Sequence, residues 1–317
     1  MTTSSAAAIE SAFRAHERSL WGMLYRLTGS AADADELVQD TFVRALERPP
    51  PDLDGPLRPW LVRVAMNLGL DALRSRRRRT YTGPWLPSPV ESTDDDAMPS
   101  FEPVIAGGGT TEGRYDLLES VSMAFLVALE ALTPRQRAVL LLRDVFDYSV
   151  EETSQALAMS AANVKTTHHR ARGAMASYDA VRTPITKAKQ AATRAAVERF
   201  VSGLASRDLA AIESVLAADA REISDGGGEY LAALRPILGA RNVARFFLGI
   251  SDEPALEYRA EVRLLNGLPA LVVSVANAGP RRAPRFVLTV EVDANGKIRE
   301  LHTVVASPKL THICFSR

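Results

Sequence analysis

The chain has 317 residues, 38 of them basic and 38 acidic for a formal net charge of zero, and 46% hydrophobic. That length suits two or three domains with ordinary packed cores, while the balanced charge excludes a protein-wide cationic field and confines any nucleic-acid affinity to local patches. The single cysteine, Cys314, excludes an internal disulfide and a cysteine metal cluster; without a signal peptide or an apolar window of about 18 residues, a soluble cytoplasmic protein is expected.

Residues 7 to 30 carry Phe13, Leu20, Leu24 and Leu27 at helical spacing and end at Gly29. A second helix, 32 to 47, has an apolar face of Leu37, Val38, Phe42, Val43 and Leu46. Its other side carries an acidic and polar stripe of Asp33, Glu36, Gln39 and Asp40, a pattern that is commonly only a solvated face. The proline-rich segment 47 to 56 must break that helix. The following helix, RPWLVRVAMNLGLDALRSRRRR, sets Trp60, Val64, Asn67, Asp71 and Arg74 beside an apolar stripe of Leu61, Ala65, Leu68 and Ala72, and ends in five arginines between 74 and 79. A ring to stack on an unpaired base, an amide for its edge and guanidiniums for the backbone are what single-stranded DNA requires; core packing is the competing role for Trp60.

Residues 80 to 117 are acidic and rich in Pro, Ser and Gly, which predicts a largely extended or disordered linker. Inside it, YTGPWLPSPV (81 to 90) is an apolar, proline-stiffened island. An exposed Trp85 among prolines is costly without a surface to cover it, so this island reads as a docking peptide. A helix is expected over 117 to 132, and another after Thr133-Pro134, a cap followed by proline in the first turn.

Residues 149 to 175 predict two short helices joined by a tight turn. Ser149 with Glu152 forms a capping box, Ser160 caps the second helix and Val164 anchors it inward. Asn163, Lys165, Thr166, His169, Arg170 and Arg172 are left on its outer face, where amides and hydroxyls suit base edges and cations suit phosphates in a major groove. Such turns often carry Gly, whereas this one carries Ala158.

After about residue 180 the texture changes. Helices are expected over 189 to 206, 209 to 218 and 241 to 250, followed by strands of period two at 257 to 265, 268 to 276, 286 to 292 and 297 to 306. Asn266-Gly267 is a hairpin signal between the first two strands, and helices followed by an antiparallel meander imply an α+β cone.

The order of these segments resembles bacterial sigma factors of the extracytoplasmic function (ECF) group. DADELVQDTFVRALE with RPWLVRVAMNLGLDALRSRRRR resembles their region 2, and ALTPRQRAVLLLRDVFDYSVEETSQALAMSAANVKTTHHRARGAM resembles region 4. The cone is similar to the SnoaL-like domain of the nuclear transport factor superfamily. ISDGGGEY (223 to 230), NGLPA (266 to 270) and YTGPWLP (81 to 87) look like the subgroup that carries this domain as a fused tail. The resemblance implies a multidomain fold, two all-α modules plus a C-terminal α+β cone. It implies region 2 at 1–79, a linker at 80–117, region 4 at 118–180 and a SnoaL-like domain at 190–317.

The implied partners are core RNA polymerase, through its β′ clamp helices and β flap, and promoter DNA. Asp33, Glu36, Gln39 and Asp40 would dock on the clamp helices. Trp60, Asn67, Asp71, Arg74, Arg76 and Arg77 would melt and hold the −10 element, and the loop 47 to 57 would capture a flipped base. Asn163, Lys165, Thr166, His169, Arg170 and Arg172 would read the −35 element. Trp85, Leu86 and Pro87 would meet Asp225, Gly226, Gly227, Gly228, Asn266, Gly267 and Pro269 in a regulatory contact. Ser88 stands where the subgroup usually has an acidic residue, which implies a weaker linker contact.

No catalytic residue, cofactor, metal site or membrane contact is expected, although the cone is a place for a small-molecule ligand. SnoaL-like relatives include isomerases and cyclases, and Asp225, Asp293, His302 and His312 are the acid–base groups such chemistry could use. The Asp225 stretch reads instead as a glycine-assisted turn. Two other readings are a dimeric helix-turn-helix repressor and a SnoaL-type enzyme with a DNA-binding appendage.

Overall fold

A computed structural model describes residues 3–50, 55–78, 81–92, 114–251 and 256–315. The linker beyond Ser92, with its acidic run and Gly107 to Gly109, therefore lies outside the described residues, as do 51–54 of the proline-rich loop, the side chains of Arg77 and Arg78, and Arg79. The chain divides into two compact units, one of residues 1–79, 100–121 and 125–182, the other of residues 80–99, 122–124 and 183–317.

In the first unit, helix α1 (Thr3–Thr28) stops where Gly29 takes a φ of 69°. Ser30 caps α2 (Ala31–Glu47), its hydroxyl accepting from the Asp33 amide, and α3 (Arg58–Arg78) crosses both. Leu20, Leu24, Leu27, Leu37, Val38, Phe42, Leu61, Ala65 and Leu73 are all buried in this part of the unit.

The single helix expected over 117 to 132 is interrupted. Glu119–Val121 and Leu129–Ala131 are 3₁₀ turns flanking a short α4 (Met123–Ala128). Two buried arginines explain the breaks. Arg26 bonds the Leu117 carbonyl and the Ser120 hydroxyl, and Arg137 bonds the Leu129 carbonyl, so side chains take over groups that an unbroken helix would pair internally.

Thr133 and Gln136 close a capping box on α5 (Pro134–Leu140), which runs on as a π-helical turn over Leu141–Val145. Next come α6 (Val150–Leu157), α7 (Ala161–Ala174) and α8 (Ala176–Val181). The expected caps are present: Ser149 and Glu152 bond reciprocally, and Ser160 accepts from the Asn163 amide. Ala158 provides the turn in the left-handed conformation, at φ 50° and ψ 48°. The two α-modules lie in one compact unit, with α3 packed on α5 and α6.

The second unit contains α9 (Lys187–Ala205), α10 (Leu209–Val215), β1 (Leu216–Asp225), β2 (Ile237–Leu238), α11 (Ala240–Ile250), β3 (Glu257–Leu265), β4 (Leu268–Ala276), β5 (Arg285–Val292) and β6 (Ile298–Val304). The strands form one sheet in the order β2-β1-β6-β5-β4-β3. Strands β3 to β6 make the expected antiparallel meander, joined first by Asn266 and Gly267, both at positive φ.

Two expectations are corrected here. The helix placed at 209 to 218 ends at Val215, and the next residues begin β1, which lies parallel to β6, so the sheet is mixed. The helices bury Phe200, Ile212 and Phe247 against Leu271, Leu288 and Leu301, with Phe200 and Phe247 edge to face at 5.1 Å.

Candidate nucleic-acid interface and linker dock

On α2, burial of Ala34, Leu37, Val38 and Phe42 turns the opposite side outward. Glu36, Gln39 and Asp40 are exposed there, with Asp33 half-buried a turn earlier. On α3, Asn67, Asp71 and Arg74 share an exposed stripe, while Trp60 at the start of the helix is half-buried. Arg74 pairs with Asp71 at 2.7 Å, and Asn67 donates to the Arg63 carbonyl at 2.8 Å.

Arg76 is placed differently from its neighbours. Its guanidinium donates to the Thr28 carbonyl at 2.6 Å and to both Glu130 oxygens at 3.1 Å, which fastens the end of α3 to the segment before α5. Arg137, 2% exposed, meets the same carboxylate at 2.6 Å and reaches the Leu27 carbonyl at 3.1 Å. Arg26, Arg76 and Arg137 thus join the first three helices to the later ones through buried or half-buried bonds. Sequence reasoning missed Arg26, Arg137 and Glu130, because an arginine on a helix reads as a surface residue until its carbonyl partners are known.

Helix α7 buries Val164 and Ala171 and leaves Asn163, Lys165, Thr166, His169, Arg170 and Arg172 outward. One of the six is not a simple surface cation. Arg172 bonds both oxygens of the buried Asp144, at 2.8 and 3.1 Å, and His168 approaches the same carboxylate at 2.8 Å. Burial pushes the Asp144 carboxyl up, but its bonds to His168 and Arg172 more than reverse this and hold it below the usual range. Asp144 lies on the π-helical turn, so this cluster fixes the rotation of α7 against its support.

In the second unit, residues 81–92 are docked against the C-terminal domain. Asp225, fully buried at the end of β1, accepts from the Tyr81 hydroxyl at 2.6 Å, the Leu86 amide at 2.7 Å and the Gly227 amide at 3.1 Å. The Lys309 ammonium bonds Asp225 and the Leu86 carbonyl and lies 3.9 Å from the centroid of the Trp85 ring. A buried carboxylate thus has its charge balanced by a lysine that also holds the peptide by cation–π contact.

Gly227 and Gly228 are at positive φ, and a β-carbon on either would stand 3.3 Å from the Tyr81 hydroxyl or 3.2 Å from the Thr82 hydroxyl. Absent side chains are what let the loop close on the peptide.

Further along the peptide, Val90 and Asn266 exchange bonds. The Val90 amide donates to the Asn266 side chain at 3.0 Å, and the Asn266 amide donates to the Val90 carbonyl at 2.9 Å. The Gly267 amide donates to Ser92 at 2.9 Å, and Arg263 pairs with Glu91. Leu86, Pro87, Ser88, Pro89 and Val90 are buried, and the buried place of Ser88 suits an uncharged side chain. Pro269, in β4 beside Leu264, is buried behind the Asn266 turn. Lys309, Arg263 and Ser92 are participants that sequence reasoning missed.

The acid–base groups weighed for catalysis have structural partners. Asp225 holds the peptide, Asp293 accepts the Asn295 and Lys297 amides in its turn, and His302, 0% exposed, pairs with Glu300 at 3.1 Å. Burial raises the Glu222 carboxyl to about 7, with the Ser224 hydroxyl donating to it at 2.7 Å. Among the described residues no cluster of three or more His, Cys, Asp or Glu could hold a metal, and no helix is long and apolar enough to cross a membrane.

The sequence matches the family Sigma-70 region 2 over residues 12–79 and Sigma-70, region 4 over residues 122–175. The helices that carry the exposed α2, α3 and α7 faces are therefore those of a sigma factor. The chain is 33% identical over 306 residues to the ECF RNA polymerase sigma factor SigJ of Mycobacterium tuberculosis, covering 95% of this chain and 93% of that one. It is 38% identical over 181 residues to SigG of the same species, covering 50% of this chain and 45% of the relative. The crystal structure of M. tuberculosis SigJ aligns with a TM-score of 0.68 at 28% identity, over 95% of this chain and 98% of that one. The chain belongs to the ECF RNA polymerase sigma factors, and it directs RNA polymerase to promoters to initiate transcription.

Proposed function

We propose that the free protein is a closed form of this sigma factor and that its C-terminal domain controls opening by holding the linker. The supporting observation is the lock on residues 81–92 built from Asp225, Lys309 and Asn266. Those twelve residues belong to the connection between the end of α3 at Arg78 and Leu117, and docking withdraws them from its length.

By their names, the −10 and −35 elements lie about 25 base pairs apart, which at ~3.4 Å each is roughly 85 Å. A compact body of about 160 residues has a radius of gyration of roughly 15 Å. The α3 and α7 faces therefore have to move apart before one promoter can engage both, and linker released from the dock supplies reach.

In this reading Asp33, Glu36, Gln39 and Asp40 dock on the polymerase clamp helices. Trp60, Asn67, Asp71 and Arg74 hold the opened −10 strand, joined by Arg76 once it leaves Glu130. Helix α7 reads the −35 element through Asn163, Lys165, Thr166, His169 and Arg170, with Arg172 positioning it against Asp144. The C-terminal domain acts without catalysis, in the cytoplasm, since three of its candidate acid–base groups are committed to turns, strands or the dock. Replacing Asp225 with Asn weakens the dock, so transcription in vitro from a cognate promoter is expected to rise while core-polymerase affinity stays level. Unchanged output at equal core binding would refute the control by the C-terminal domain.

A further inference from the structure

Glu222 is completely buried in β1, three residues before the Asp225 that holds the linker. It lies opposite Leu301 of β6, and Ser224 lies opposite Thr303, so these four side chains share one face of the sheet. Leu301 belongs to the apolar core that Phe200, Ile212 and Phe247 close from the helices. One oxygen of the Glu222 carboxyl accepts from the Ser224 hydroxyl, and the other has no hydrogen-bond partner among the described residues. The Thr303 hydroxyl favours the charged form from the next strand but stays beyond hydrogen-bond distance.

The charged groups of the elements around it are engaged elsewhere. Arg221 pairs with Glu300, Arg299 with Asp219, Arg241 with Glu213 and Lys309 with Asp225, while Arg245 on α11 is exposed. Strand β2 sets Ile237 opposite Glu222, and α11 buries Val243, Ala244 and Phe247. His302 acts on Glu222 from the other face of the sheet, where it bonds Glu300, and Glu229 in the loop after β1 bonds Ser307. An ionised carboxylate at this position lacks the bonds and counter-ion that would offset its desolvation, so Glu222 is held as the neutral acid.

We propose that Glu222 is a proton-operated catch on the linker dock: while it keeps its proton the end of β1 holds Asp225 in place, and loss of the proton loosens that end and frees residues 81–92. The catch deepens the closed-form reading by naming what opens the dock, and rests on that reading for any effect on transcription. Asp225 is tied to the same seam as Glu222, since it lies opposite Val304 and its carbonyl accepts from the Val305 and Ala306 amides. Exposing Glu222 to water therefore parts β1 from β6 where Asp225 is anchored. Burial raises its carboxyl from the ordinary 4.5 to about 7. A closed seam keeps a proton that an open one releases, so this support for closure is complete below pH 4.5, is lost as pH rises to 7 and changes no further above it.

Hydrogen exchange at residues 81–92 of the full-length protein, corrected for the intrinsic pH dependence of exchange, follows the dock from pH 5.5 to 8. Opening is expected to rise roughly tenfold or more over that range and to level off above about 7. Glu222→Gln is expected to keep exchange slow and level throughout. Ser224→Ala removes a bond that favours the charged form, so it is expected to carry the rise to higher pH. A level profile in the unaltered chain, the same rise in Glu222→Gln, or an unmoved profile in Ser224→Ala would overturn the proposal. Asp225→Asn is expected to raise exchange at every pH; if it does not, the lock falls and the catch with it. Exchange is read rather than transcription, so a dock that opens on schedule without changing promoter output would count against the control of transcription and leave the catch standing.

Discussion

Ala158 occupies a conformation that costs an L-residue about 1–2 kcal/mol, because its β-carbon crowds the following carbonyl. The α6–α7 turn keeps it there because Ser149 and Ser160 fix the helices on either side. Ala158→Gly is expected to stabilise the protein by roughly 1 kcal/mol in urea unfolding, without altering promoter choice. The arginines of α7 separate by their partners. Arg170 is exposed, and its replacement by Ala is expected to weaken −35-dependent promoters selectively, by about 1–3 kcal/mol in competition binding by the holoenzyme. Equal loss on every sequence would make it a phosphate contact. Arg172→Ala leaves the buried Asp144 with His168 alone, so it is expected to lower stability by about 1–3 kcal/mol as well as DNA affinity.

At the scale of elements, β1 carries the most informative buried charge. Glu222 is completely buried and its carboxyl titrates at about 7, whereas in the unfolded chain it ionises near its ordinary value of 4.5. Between those values the unfolded chain releases a proton that the folded chain keeps. This contribution is therefore complete below pH 4.5 and is lost as pH rises to 7, by something on the order of 3 kcal/mol. In unfolding of the full chain from pH 4 to 8, Glu222→Gln is expected to remove most of that decline; a parallel decline in both proteins would show that Glu222 does not cause it.

The same strand marks where sequence reading stops. Leu216–Asp225 shows no clean alternation, since its buried positions include Glu222 and Ser224 as well as Leu216 and Ala220, so it looked like the end of a helix and a loop. The α6–α7 pair, by contrast, was legible down to its caps, because capping is local chemistry between residues three apart. The docking peptide was legible from Trp85 and its prolines, since apolar bulk in a polar stretch has to be covered. Its partner Lys309 was not, because pairing it with Asp225 requires the distant β1 and the chain after β6 to meet.

For the whole molecule, the bonds of Arg26, Arg76 and Arg137 tie the region 2 helices to the region 4 helices in one compact unit. These polar contacts, around a few carbonyls and one carboxylate, Glu130, lie beside the packing of α3 on α5 and α6, and each can be exchanged for water when a partner supplies a better surface. In the proposed closed form, the C-terminal unit adds a separate control through the linker it holds. The most direct measurement is the distance between labels at the exposed Glu17 on α1 and Gln155 on α6, attached through cysteines in a Cys314→Ser background, in the free protein and in the promoter-bound holoenzyme. The closed-form account predicts a separation within a body of about 15 Å radius of gyration in the free protein, rising toward roughly 85 Å on the promoter. A short separation that persists in a transcribing holoenzyme, or a long one already present in the free protein, would contradict it.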